Sequence, residues 1–195
     1  GYFWNVIEPV LGAMVYVWVF TIIRASEPDW ILSVLIGFGM IGGFNTGVRH
    51  AMTPRADEGG LRIERVRARA LAISRILGIF MDSIFASSGV AIACLLMGAN
   101  PTGVLLLPLF NFLLAISTFS IFSVLTPMSL KIPDIVPIVN LSGLVMFFVS
   151  PVLYPLSFTS GLHRELSLYN PLCYFMEPIR LLSGAGEDIK LLIPE

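Results

Sequence analysis

Seven arginines crowd into one stretch of an otherwise apolar chain, and that stretch limits what the chain can fold into. Arg49, Arg55, Arg62, Arg65, Arg67, Arg69 and Arg75 supply seven of the 12 Lys and Arg among 195 residues. The segments on either side are almost free of charge. An arginine at the centre of a membrane helix costs about 2.5–3.5 kcal/mol on insertion scales, so these side chains belong in water. We read residues 49–75 as a loop between two hydrophobic blocks, on the cytoplasmic side where short Lys/Arg-rich loops stay. Composition agrees. The chain is 56% hydrophobic and 13% charged, with a mean hydropathy of +0.85, whereas a soluble domain is about 25% charged. A net charge of -1 gives no reason to expect a nucleic-acid partner.

The hydrophobic blocks divide into five expected spans, about residues 4–23, 30–48, 74–97, 104–125 and 135–153. About twenty residues at about 1.5 Å each cross a hydrocarbon core of about 30 Å. The expected fold is therefore all-α, a polytopic membrane helical bundle forming one domain. Glu8 is the only charge of the first span and lies beside Pro9, which is tolerated early in a helix. Tyr2, Phe3 and Trp4 suit a membrane–water interface. Gly39, Gly43 and Gly47 fall on one helix face, where another backbone can come close. That neighbour is either a helix of the same chain or a second copy, and the residues do not separate the two. Gly98-Ala-Asn-Pro-Thr-Gly103 reads as a tight exterior turn. Asp82 lies about 10 Å of helix beyond Arg75, shallow enough for an interfacial role, although an ionisable residue in a span is a functional candidate by default.

Within the basic stretch, a helix is expected from Leu61. Arg62, Arg65 and Arg69 recur at i, i+3 and i+7, beside an apolar stripe of Ile63, Val66, Ala70 and Ile73. This suits a helix along the inner membrane surface. The residues by themselves favour a simpler reading, a positive loop drawn to anionic membrane lipid. The segment 154–182 falls on the exterior side and is proline-rich. Asn170 and Pro171 read as an N-cap and first helical residue. Glu177 and Arg180 form an i, i+3 pair, which on an exposed face is worth about 0.2–0.5 kcal/mol. Their replacement by Ala is therefore expected to affect transport rather than folding.

Several chemistries are excluded. No G-x-x-x-x-G-K-[ST] occurs, so the chain does not bind ATP through a P-loop, and no cofactor is expected on it. His50 and His163 are expected on opposite sides of the membrane, which removes a two-histidine metal site. Neither H-E-x-x-H, Cys-x-x-Cys nor G-x-S-x-G is present. Cys94 and Cys173 lie in apolar surroundings and do not form a disulfide framework. Sparse ionisable residues in the spans weigh against a proton-coupled transporter. An integral-membrane transferase needs clustered acid–base groups, and Glu8, Asp82 and Glu177 are expected to be scattered. Trp18, Tyr154, Tyr169 and Tyr174 either stack on sugar rings or sit at interfaces, and the interface reading is favoured.

Two stretches carry a family resemblance. Gly1-Tyr-Phe-Trp-Asn-Val-Ile-Glu-Pro-Val10 resembles the start of the first span in type-2 ABC exporter permeases, closest to the capsular polysaccharide export group. Ser150-Pro-Val-Leu-Tyr-Pro-Leu156 and Tyr169-Asn-Pro-Leu-Cys-Tyr-Phe-Met-Glu-Pro-Ile-Arg180 resemble that family's exterior gate region. The resemblance implies two permease copies paired with two ABC ATPase subunits, which bind the ATP. It implies that the basic stretch, with Arg62, Arg65 and Arg69, docks on the ATPase. It further implies that Asn170, Pro171, Glu177 and Arg180 belong to a short re-entrant gate helix, and that Glu8 and Pro9 mark the first-span start. The cargo so implied is a lipid-linked surface polysaccharide moved outward across a bacterial inner membrane; a drug or lipid exporter of the same class is the alternative. The family has six spans and an amphipathic helix before the first. With five here and no such helix, and with Gly1 in place of an initiator Met, the chain is expected to be a fragment. The segment Pro54-Arg-Ala-Asp-Glu-Gly-Gly60 lacks the apolar run common at that point in the family.

Overall fold

The computed structural model describes residues 2–23, 28–52, 68–129, 131–132 and 134–186. Its long helices are α1 (Tyr2–Ile23), α2 (Pro28–Met52), α3 (Ala68–Leu96) and α4 (Pro101–Ser123). One short turn, α5 (Thr126–Ser129), leads to α6 (Ile135–Val149). A 3-10 turn at Leu156–Phe158 precedes α7 (Gly161–Tyr169) and α8 (Pro171–Ser183). There is no strand among the described residues, and the all-α membrane bundle stands. Trp30–Met52, Ala72–Leu96 and Pro101–Ser123 are long and apolar enough to cross a membrane; Phe3–Val19 and Ile135–Val149 are apolar but shorter.

The helix α2 is the axle of the bundle. It packs against α1, α3, α4, α6 and α8. Its most apolar window is 78% buried within the protein, against 39% for α3 and 33% for α4. Glycine makes this possible. A Cβ on Gly43 would stand 2.9 Å from the Asn111 carbonyl, and one on Gly47 would stand 2.7 Å from Thr118 Cβ. Both neighbours are on α4. The glycine face therefore serves packing within one chain, and Asn111 Nδ2 donates across the same seam to the Gly39 carbonyl.

Local chemistry sets the helix ends. Gly98 takes φ +85° after α3. Asn100 then caps α4, its side chain accepting from Thr102 N at 3.1 Å, and Pro101 starts the helix. The 98–103 turn is as the residues imply. Two boundaries differ from expectation. Arg49 and His50 lie in the last turn of α2 rather than in a loop, while Arg69 and Arg75 lie in α3, in keeping with the helix expected from Leu61. Long helices carry their charged ends beyond the apolar span, where they reach water and one another. The fifth apolar helix stops at Val149 rather than 153, because Ser150 precedes Pro151 and is pushed to extended backbone with ψ 150°. Residues 53–67, with Arg62 and Arg65, lie outside the described residues.

The α2–α4 seam generates a paired prediction. Gly47→Val drives a branched side chain into α4 and costs about 1–3 kcal/mol or more. Gly42, where a Cβ meets nothing within 4 Å, should accept Ala with no loss, since Ala is favoured over Gly in a helix by about 0.5–1 kcal/mol. Size-exclusion profiles of the detergent-solubilised protein after a heating series check this. The Gly47 variant should lose its monodisperse peak at lower temperature, and the Gly42 variant should match or exceed the parent.

Candidate functional site

Polar residues gather at the two ends of the bundle. At one end, the Arg180 guanidinium is fully buried. Its Nε and Nη2 donate to the Ser33 carbonyl at 3.1 and 2.9 Å. Nη2 also donates to the Val152 carbonyl at 2.9 Å, and Nη1 donates to the Tyr154 carbonyl at 3.1 Å and to Glu177 Oε1 at 2.6 Å. These contacts match the five N–H groups of an arginine. One side chain thus ties α8 to the first turns of α2 and to the segment after α6. Gly37 permits the approach, because a Cβ there would stand 2.9 Å from Arg180 Nη2. The Glu177 side chain is 11% exposed. The expectation of an exposed, weakly stabilising pair is therefore overturned: Pro171 and the caps place α8 so that its basic residue points inward.

The neighbouring groups complete this end. Asn170 Oδ1 accepts from Leu172 N at 3.0 Å, as an N-cap does, while its Nδ2 donates to Ser150 Oγ at 2.6 Å. Gly184, at φ 82°, ends α8 in the left-handed region. Asn100 N donates to the Ser183 carbonyl at 3.0 Å and joins the α3–α4 turn to the end of α8. Tyr154 Oη lies 2.6 Å from His163 Nε2; burial pushes the Tyr154 phenol above its usual range and the nearby Arg180 charge partly offsets this. The segment after α6 folds as two short helices, α7 and α8.

At the opposite end, Asp82 of α3 joins three helices. Its Oδ2 receives Arg49 Nη2 at 2.8 Å and stands 2.9 Å from His50 Nε2, both from α2. Its Oδ1 accepts from Asn5 Nδ2 of α1 at 3.3 Å. Arg75 Nη1 donates to the His50 carbonyl at 3.2 Å. Sequence reasoning singled out Asp82 but missed its partners, which are 32, 33 and 77 residues away along the chain. The one available signal was Arg49-His50 next to a span that faces a lone carboxylate.

Between these ends lies a cavity of about 750 Å³, walled by α1, α2, α3 and α6. Asn5, Glu8, Asn45, Thr46, Arg49 and Asn140 give it a polar part; Tyr16, Phe38 and Phe147 give it an aromatic part. Those three rings have centroids 5.1–5.5 Å apart. Glu8 and Asp82 share this cavity, so they are less scattered than expected, while Glu177 stays with Arg180. None of Trp18, Tyr154, Tyr169 or Tyr174 lines it. Trp18 is 67% and Tyr169 87% exposed, which suits the interface reading. Arg69 is exposed at the start of α3. No cluster of three metal-ligating side chains occurs among the described residues.

The whole arrangement, from the first helix to α8, corresponds to a known family: residues 1–182 match the ABC-2 type transporter. The chain belongs to the ABC-2 type transporter family. No curated protein matches it. Membership makes the chain an integral membrane protein, the membrane subunit of an ABC-2 transporter, and implies an ABC ATPase as its partner. The Asp82 end, the cavity, and Arg180 with its hydrogen-bond partners fall within the part of the chain that matches the ABC-2 family.

Removing one partner of a buried charge pair costs about 3–5 kcal/mol. Arg180→Ala should therefore abolish most folded protein, and Arg180→Lys, with three N–H groups in place of five, should lower its thermal stability. Asn170→Ala should cost about 0.5–2 kcal/mol. The order of melting temperatures, parent above Asn170→Ala above Arg180→Ala, checks the assignment in purified full-length protein.

Proposed function

We propose that this ABC-2 permease exports a lipid-linked surface polysaccharide of the capsular type, from the cytoplasm outward across a bacterial inner membrane. Two copies work with two ATPase subunits, which bind and hydrolyse ATP. The Asp82 end is cytoplasmic in this reading and the Arg180 end is exterior. Arg62, Arg65 and Arg69 contact the ATPase, and α8 with Asn170, Pro171, Glu177 and Arg180 forms part of the exterior gate. The observation that supports the reading is the family match over residues 1–182, joined to the resemblance of the first ten residues to the polysaccharide group. Amides and aromatic rings in one cavity are the side-chain types that hydrogen-bond and stack on sugars. A drug or lipid exporter is the second reading, favoured by the apolar wall formed by Phe38, Leu144 and Phe147.

Charge reversal of Arg62, Arg65 and Arg69 to Glu tests the coupling. The variant should insert in the membrane, held by Arg49, Arg55 and Arg75, but should no longer co-purify with its ATPase, and glycan should accumulate inside the cell. Retained co-purification would leave lipid attraction as the role of these arginines. Normal surface glycan in a strain lacking the permease, with altered drug susceptibility, would favour the second reading.

A further inference from the structure

The helix α7 is weakly held. It has 9 residues, fewer than the about 12–15 that a helix needs to persist alone in water. Ser160 gives its first turn no side-chain cap, and Ser167 is the only buried residue along it. Two side-chain hydrogen bonds tie it to the segments before it. Ser167 Oγ donates to the Val149 carbonyl at 3.1 Å. The other joins His163 Nε2 to the Tyr154 hydroxyl at 2.6 Å, between two half-buried side chains. Tyr154 thus works twice, because its carbonyl also accepts from Arg180 Nη1 at 3.1 Å. One tyrosine links the fixed guanidinium to a histidine, the side chain type that ordinarily titrates between about pH 5 and 8.

The charge of that histidine decides whether the second tie holds. With the imidazole neutral and its proton on Nδ1, the phenol donates to a bare Nε2. An imidazolium carries N–H on both ring nitrogens, so Nε2 no longer accepts and the phenol proton loses its partner. Burial pushes the Tyr154 phenol above its usual range, so it does not become an anion that would hold the imidazolium instead. The surrounding charges give no compensation. Arg164 and Glu165 lie on α7, Glu177 and Arg180 on α8, and α6, which α7 also packs against, has no ionisable side chain. Two cations thus face two anions, and a protonated His163 adds one positive charge in excess. The Arg180 charge already reaches the Tyr154 hydroxyl. Tyr169 on α7 and Cys173 and Tyr174 on α8 are of types that stay neutral over this range.

We propose that the Tyr154–His163 contact is an acid-released clasp: the neutral imidazole holds α7 against the Arg180 end, and protonation frees α7 while α8 stays in place. The Arg180 bonds to three backbone carbonyls do not titrate, which is why α8 does not follow. In the orientation proposed above, acid outside the membrane would act on this clasp; the clasp itself does not rest on that orientation.

Hydrogen exchange read by mass spectrometry tests this in purified full-length protein at about pH 8 and about pH 5.5, each rate divided by that of an unstructured peptide at the same pH. Protection over residues 161–169 should fall by about three- to tenfold at the lower pH, while protection over 171–183 is unchanged. His163→Gln keeps a neutral acceptor and should protect α7 equally at both pH values. Tyr154→Phe removes the hydroxyl and should leave α7 poorly protected at both. The α8 peptide reports in each variant whether the fold is intact; if His163→Gln loses it, Tyr154→Phe decides alone. Equal protection of α7 at the two pH values in the parent, or a pH dependence that survives in either variant, would overturn the clasp. An error in the membrane orientation would leave all of these rates unchanged.

Discussion

A guanidinium with no access to water must find a partner for every N–H, and Arg180 does so within one chain. Its carbonyl acceptors belong to Ser33, Val152 and Tyr154, and its carboxylate acceptor to Glu177. An unmet donor in such a place costs several kcal/mol. The constraint therefore fixes α8 against α2 and fixes the irregular backbone from 150 to 155, whose carbonyls would otherwise face an apolar surrounding.

The rest of the bundle hangs on the same helix. Ser33 lies in the first turns of α2, Gly43 and Gly47 in its middle, and Arg49 and His50 in its last turn. Along its length α2 thus receives α8, then α4, then α3 and α1 through Asp82 and Asn5. The two polar knots hold opposite ends, while small residues allow close packing between them. The cavity lies on the side where α1 and α6 meet α2, the side with fewer close glycine contacts.

Much of this was legible in the sequence, for physical reasons that apply residue by residue. Apolar runs of span length gave the helices, Gly98 to Gly103 gave the α3–α4 turn, and Asn170-Pro171 gave the start of α8. What failed was the surroundings of charged residues. Arg180 and Glu177 look the same in sequence whether exposed or buried; only the approach of α2, permitted by Gly37, decides between them. Asp82 was visible as a lone carboxylate, but its link to Asn5 spans 77 residues and has no local signature. The aromatic part of the cavity escaped for a related reason: Tyr16, Phe38 and Phe147 come from three helices and stand out in none. Glycine spacing marked a packing face correctly but carried no information on which helix would fill it.

The central claim is that the two polar ends of one bundle face opposite sides of the membrane, with the Arg180 end outside. Labelling of single introduced cysteines by an impermeant maleimide tests it most directly. Gly59→Cys and Ser160→Cys are the two sites, and Ser160 is exposed in α7's approach. Native Cys94 and Cys173 are both buried at 0% exposure and should give little background. In intact cells, the cysteine at 160 should label and the one at 59 should label only after permeabilisation. Labelling at 59 with none at 160 would contradict the account.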